Sequence, residues 1–168
     1  GTLVGFGRSG PLCSDYIGSV VVDDAGSAGW WSSIVLDASG FPVVAYHEYN
    51  NSDLRLLRCG NATCTAGNTI TTVESEGVSG VNPSLVLDAS GFPVIAYGFW
   101  GDDQLDVKVV HCGNATCTSD NTFAVVDRPG DVGYDISMTL DSSGFPVMSY
   151  YDWGSNTLKV AHCGDVTC

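Results

Sequence analysis

The sequence predicts an all-β fold built from three copies of one four-stranded antiparallel unit, and three observations carry that prediction. One motif occurs three times, as LDASGFPVVAY at Leu36 to Tyr46, LDASGFPVIAY at Leu87 to Tyr97 and LDSSGFPVMSY at Leu140 to Tyr150. A second recurs in the same phase, as CGNATC at Cys59 to Cys64 and Cys112 to Cys117, and CGDVTC at Cys163 to Cys168. No segment sustains a 3.6-residue apolar period, whereas two-residue alternation returns in every copy. A repeat of roughly 50 residues with four short meandering strands is how a β-propeller blade reads in sequence, so the expected architecture is a propeller-like array of three blades.

Each strand has its own warrant. Strand A carries Ile34 and Leu36, Leu85 and Leu87, or Met138 and Leu140, with Ser33, Ser84 and Ser137 in one shared slot. Asp-x-Ser-Gly then turns the chain. Strand B opens on Phe-Pro-Val, where proline at the first strand position sacrifices no ladder donor, and ends at Tyr46, Tyr97 or Tyr150. Strand C runs into the first cysteine as LRLLRC, VKVVHC or LKVAHC. Strand D follows the second cysteine at Ser19 to Val22, Thr69 to Val73 and Phe123 to Val126, and an acid ends it at Asp23, Glu74 or Asp127. The 168 residues therefore read as one repeat domain: a degenerate segment at 1–12, then repeats at 13–63, 64–116 and 117–168. The two extra residues of the middle repeat fall in the polar stretch after Tyr97, where a surface loop absorbs insertions.

The strands are out of phase with the chain. A degenerate strand C at Leu3 to Gly7 and a spare strand D within Ser14 to Asp23 open it, and the third unit stops after strand C at Cys168. Self-closure would give a ring of three blades, fewer than the ~4 that known propellers place around a channel. The spare strand is therefore expected to complete the last blade of another subunit, as a closed ring or an open filament.

Charge and composition narrow the partners. Six Lys+Arg against 19 Asp+Glu give a net charge of −13, with no basic cluster to follow a phosphate backbone or an anionic membrane. No apolar run reaches the ~20 residues of a membrane helix, so neither nucleic acid nor membrane insertion is expected. Seven cysteines form three C-x4-C pairs, Cys59 with Cys64, Cys112 with Cys117 and Cys163 with Cys168, and leave Cys13 over. Disulfides stapling strand C to strand D, in an extracellular or cell-surface setting, are the expected use of the pairs. Cys13 is either an intermolecular thiol, arriving beside Cys163 and Cys168 of a neighbour, or a free one. His111 and His162 precede a cysteine, but Arg58 holds that place in the first copy and no four-ligand zinc cluster forms, so no metal or other cofactor is expected.

Three Asn-x-Ser/Thr matches, at Asn50, Asn61 and Asn114, fall on predicted loops and read either as glycan acceptors or as turn formers. The acidic pairs Asp23 with Asp24 and Asp102 with Asp103 form no calcium-loop pattern and read as solvated surface. Tyr49, Trp100 and Trp153 follow strand B in the three copies. With Trp30, Trp31 and Tyr151 they either stack on sugar rings or pack at a blade or subunit contact. Glu48 and Asp152 are equivalent acids with the chemistry of a glycosidase pair, but no nucleophile motif accompanies them, so catalysis is not expected.

The LDxSGFPVxxY…LKVxHCGxxxC unit resembles blade repeats of bacterial secreted and cell-surface β-propeller proteins, from Cys13 to Cys168. The resemblance implies an all-β fold and an extracellular setting, and no shared activity. The leading expectation is a non-enzymatic structural protein that assembles with copies of itself, head to tail, by strand complementation. The alternative is a carbohydrate-binding propeller module, and a fragment of a larger enzyme is a third reading.

Overall fold

A computed structural model describes residues 18–101 and 103–168. The degenerate strand at Leu3 to Gly7, together with Cys13 and Asp102, lies outside the described residues. Among those described there is no helix, and eleven strands form three antiparallel sheets. The first sheet has the order β1 (Ala28–Leu36), β2 (Pro42–Glu48), β3 (Asp53–Arg58), β4 (Thr69–Glu74). The second repeats it with β5 (Val78–Leu87), β6 (Pro93–Trp100), β7 (Leu105–His111) and β8 (Thr122–Asp127). The third has only β9 (Val132–Leu140), β10 (Pro146–Asp152) and β11 (Thr157–His162), with β11 at its edge. The expected all-β class and the repeating strand order are both present. The sheets do not close on one another; strand contacts run from the first sheet to the second and from the second to the third.

Local chemistry sets each hairpin. Asp37 Oδ1 accepts the backbone N–H groups of Ser39 and Phe41, both at 2.9 Å, and Gly40 closes the turn at φ +77°. Asp88 and Asp141 make the same bonds in their copies. Pro42, Pro93 and Pro146 open the second strand of each sheet, and their carbonyls accept the N–H of Cys59, Cys112 and Cys163 at 2.9 Å.

Burial follows position in the stack. The second sheet is covered on both faces, so β6 and β7 are buried almost without alternation. On one side Leu85, Ile95, Tyr97 and Val110 pack against Val43, Ala45, Leu54 and Leu56 of the first sheet. On the other, Val94, Ala96, Val107 and Val109 pack against Ile136, Met138, Met148 and Tyr150 of the third.

One expected strand has no ladder within the chain. Residues 18–24, read as a strand D at Ser19 to Val22, lie in no strand, because no described strand runs beside them and a strand exists only through its ladder. The segment is nonetheless docked: Val22 packs on Tyr46, Leu57 and Cys59.

Candidate functional site

Two features stand apart from the repeating core: the outer faces of the first and third sheets, and an aromatic groove at one end of the strands.

The outer faces are defined by comparing equivalent residues. Leu54 and Leu56 of β3 and Val107 and Val109 of β7 are at most 1% exposed, whereas their β11 equivalents Leu158 and Val160 are 75% and 69% exposed. At the opposite end, Leu85 and Met138 are 3% and 8% exposed, but Ile34 in the same slot is 63% exposed. A cleft of ≈ 300 Å³ opens on this side between Val20–Val22 and the Val44, Tyr46 and Leu57 side chains. In the second and third sheets, the residues equivalent to Tyr46 and Leu57 face the preceding sheet. Each end thus presents one half of a contact that the interior makes twice.

Polar stitches cross the same boundaries. The acid ending β4, Glu74, accepts the Tyr97 hydroxyl of the next sheet at 2.5 Å and pairs with Lys108. Asp127 repeats this with Tyr150 at 2.8 Å and Lys159 at 2.9 Å. Asp23 does so with Tyr46 at 2.6 Å and Arg55 at 3.2 Å, although the residues before it form no strand. Burial, reinforced by the facing carboxylate, pushes the Tyr97 and Tyr150 hydroxyls well above the usual phenol range. A second stitch joins the first strands of neighbouring sheets: Ser33 Oγ accepts the Leu85 N–H at 3.1 Å and Ser84 Oγ the Met138 N–H at 2.9 Å. Ser137, third in the series, is exposed. The sequence placed these serines and acids in shared slots without revealing that they join sheets; the constant 23-residue step from acid to tyrosine was the available signal.

The three cysteine pairs are disulfides, Cys59–Cys64, Cys112–Cys117 and Cys163–Cys168, with Cα–Cα distances of 4.8, 4.8 and 4.7 Å. Bonds of this kind persist in oxidising, extracellular compartments. Inside the first two loops, Asn61 Oδ1 accepts from Thr63 and Thr65 N–H and Asn114 Oδ1 from Thr116 and Thr118 N–H. Both asparagines therefore hold a turn, while Asn50 is exposed beside Glu48. The residue before the first cysteine serves the Asp turn: Arg58, His111 and His162 reach Asp37, Asp88 and Asp141 at 2.7, 2.9 and 2.8 Å. That shared task explains why arginine substitutes for histidine. Among the described residues no group of three or more His, Cys, Asp or Glu side chains is arranged to hold a metal ion.

Glu48 and Asp152 hold loops. Glu48 accepts the N–H groups of Asn50 and Asn51 and lies 3.5 Å from Arg55. Asp152 accepts the Ser155 N–H and pairs with Lys159 at 2.9 Å; the Lys159 ammonium and the Ser155 donors draw its carboxyl down to about 2.

The groove has a volume of ≈ 690 Å³ and brings Tyr49 and Trp100 together with Trp31, His47, Tyr134, Asn82 and Asp135. Trp153 is not part of its lining but touches Tyr134, with ring centroids 5.9 Å apart. Trp31, Asn82 and Asp135 occupy one repeat slot and all have left-handed backbones, with φ of +46°, +46° and +51°, where β1, β5 and β9 shift register. Asparagine and aspartate tolerate that region; tryptophan does so rarely. Sequence reasoning singled out Trp31 as an aromatic but missed the bulge that aligns it with Asn82 and Asp135. Their common position two residues after Gly29, Gly80 and Gly133 was the signal.

Models of known protein families give no match to this chain, and neither do curated proteins.

Proposed function

We propose that the chain is a propeller-like structural protein of the extracellular or cell-surface space, and that it assembles head to tail with copies of itself. Its three sheets act as consecutive blades, and its role is architectural rather than catalytic. The observation that carries this reading is the pairing of the two end faces. Leu158 and Val160 at one end, and Ile34 with the Tyr46 and Leu57 cleft at the other, are the two halves of the contact buried between the first and second sheets. Exposed apolar area of this kind is stabilised by association, and the interior contacts supply a geometry for it.

The interior registers also specify how the strands would pair. Leu56 faces Thr71 and Arg55 faces Thr72; Val109 faces Ala124 and Lys108 faces Val125. Carried to β11, the rule sets Val160 opposite Val20 and Lys159 opposite Val21 of a second copy. The edge of β11 gains its missing ladder, and residues 18–22 gain the partner that would make them a strand. The contact is heterologous, so assembly ends in a ring if the rotation closes and runs on as a filament if it does not.

Light scattering on the intact chain tests this. Wild type should exceed 17.6 kDa, whereas Ile34→Lys and Leu158→Lys should each run as monomers. Because each variant keeps one good end, mixing the two should restore a dimer and nothing larger. A wild-type monomer from micromolar to millimolar concentration would overturn the proposal, as would two variants that fail to complement one another.

A further inference from the structure

We infer that the groove bounded by Trp31, Tyr49, Trp100 and Tyr134 is a binding site for the pyranose rings of a neutral oligosaccharide. The inference is independent of self-assembly, since none of these residues belongs to the end faces described above.

Four observations converge. First, the space is large enough for more than one sugar ring, at ≈ 690 Å³, and sits within the usual size range of small-molecule sites, about 300–1,000 Å³. Second, its aromatics form a platform. Trp30 stacks on Tyr49 with centroids 5.1 Å apart, meets Trp31 edge-on at 5.8 Å, and Trp31 lies 5.4 Å from His47. Rings that pack on one another in this way leave faces and edges to solvent, and Trp30, Trp31 and Tyr49 are 47%, 43% and 57% exposed. The axial C–H face of a pyranose stacks on such a ring while its equatorial hydroxyls point sideways to polar groups.

Third, polar groups are present where hydroxyls would fall. Asn82 offers both a donor and an acceptor, and Asp135 a pair of acceptors. His47 is the buried member, only 2% exposed. Its Nδ1 faces the Ser79 carbonyl at 2.7 Å. A carbonyl oxygen only accepts, so Nδ1 carries the hydrogen, and no described residue is hydrogen-bonded to Nε2, which is left for a ligand hydroxyl. Fourth, Trp31, Asn82 and Asp135 are all held in the left-handed region. Of the three, tryptophan adopts this region rarely, and backbone strain of that kind concentrates where a side chain must be aimed.

The chemistry separates a sugar from the other ligand suited to aromatic rings, a quaternary ammonium group. An ammonium head is held at the centre of a cage with ring faces turned inward around a point, and a nearby carboxylate contributes charge. Here Trp30, Trp31, His47 and Tyr49 contact one another along one wall instead, with Trp100 and Tyr134 elsewhere in the lining, which suits a flat, extended ligand. Asp135 then serves as a hydroxyl acceptor, and its charge is dispensable.

The test is a titration of the intact chain followed by tryptophan fluorescence, since Trp31 and Trp100 line the groove and Trp30 packs on Trp31. The probes are hexasaccharides of β-1,4-linked glucose, N-acetylglucosamine, mannose and xylose, with choline chloride as the cationic comparison. At least one oligosaccharide should shift the emission saturably. Trp100→Ala and Trp31→Ala should each weaken it about tenfold, the worth of one lost stacking contact. Asp135→Asn should weaken it less than tenfold, and Val125→Ala, on the outer strand β8, should leave it unchanged. Thermal unfolding of each variant distinguishes loss of binding from loss of fold; if Trp31→Ala unfolds, Trp100→Ala and Tyr49→Ala carry the test. Repeating the titration on the Leu158→Lys variant should give the same affinity, which separates failure of this site from failure of assembly. The inference is overturned by saturable choline binding that Asp135→Asn abolishes, or by no response to any of the four sugars at 10 mM.

Discussion

Tyr150 and Asp127 stand 23 residues apart, in different sheets, and the tyrosine hydroxyl donates to the carboxylate at 2.8 Å. The same bond joins Tyr97 to Glu74 and Tyr46 to Asp23, each time beside a cation from the tyrosine's own sheet. Sheets packed only by aliphatic side chains could slide; a directional bond to a charged acceptor fixes their offset. Tyr97 is fully buried, so Tyr97→Phe removes the donor while Lys108 keeps Glu74 paired. The variant should lose about 2 kcal/mol in urea unfolding, the usual worth of a hydrogen bond to a charged group. A loss under 0.5 kcal/mol would mean that the bond carries no net stability.

Two serines in the same slot should behave differently. Ser84 Oγ accepts the Met138 N–H, and Ser84→Ala should cost about 1 kcal/mol of folding stability. Ser137 is exposed, so Ser137→Ala should leave the unfolding of an assembly-blocked chain unchanged while weakening association of the wild-type background. Equal effects of both substitutions on monomer stability would contradict that assignment.

Acid should loosen the third sheet. Asp152 has its carboxyl lowered from 3.8 to about 2, and the carboxyl of Asp141 is also lowered, by the Phe145 N–H and His162. A carboxyl depressed by folding adds stability that is present in full above its unfolded value and vanishes as pH falls through its folded one. The melting temperature should therefore fall between about pH 4 and pH 2 on account of these groups, and Asp152→Asn should flatten that part of the curve. Melts from pH 7 down to pH 2 measure the slope directly.

Removing the second disulfide as the pair Cys112→Ser, Cys117→Ser should cost about 2 kcal/mol, the loop entropy of so short a closure. The cost stays small because Asn114 and Asn121 hold the same loop by hydrogen bonds. Gly113→Ala should be at least as damaging: a Cβ there would stand 2.5 Å from the Ser119 carbonyl, and the backbone would have to move. Chemical denaturation of both variants ranks the two.

The register carried over from β3–β4 and β7–β8 is open to covalent proof. Val20→Cys combined with Val160→Cys should give disulfide-linked ladders on mild oxidation, while Val21→Cys with Val160→Cys should give markedly fewer. Non-reducing gels show which pair of positions is adjacent, and the reverse preference would refute the register.

Much of this architecture was legible because repetition multiplies weak local signals. A single Asp-x-Ser-Gly would be a modest turn signal; three in phase, each followed by Phe-Pro-Val, place the hairpins of all three sheets. The cysteine pairs and the absent fourth strand of the third sheet were readable for the same reason. Residues 18–24 form no strand within the chain, because propensity in Ser-Val-Val-Val describes what a strand would contain, while pairing depends on a neighbour that the chain does not place beside them. The groove was half legible: Tyr49 and Trp100 stand in it, but Trp153 does not line it. Asn82 and Asp135 escaped notice because a bulge is a property of two strands read together.

The one-strand offset of the repeats also bears on how such a chain can change over generations. A gene segment encoding one unit, gained or lost between equivalent cysteines, begins and ends inside a disulfide loop rather than inside a sheet. The protein that results has one sheet more or fewer, yet the same pair of terminal surfaces. Under the proposed assembly, unequal recombination between these loops would then change the number of sheets per subunit while keeping the contact between subunits, so the diameter or pitch of the assembly would vary in discrete steps.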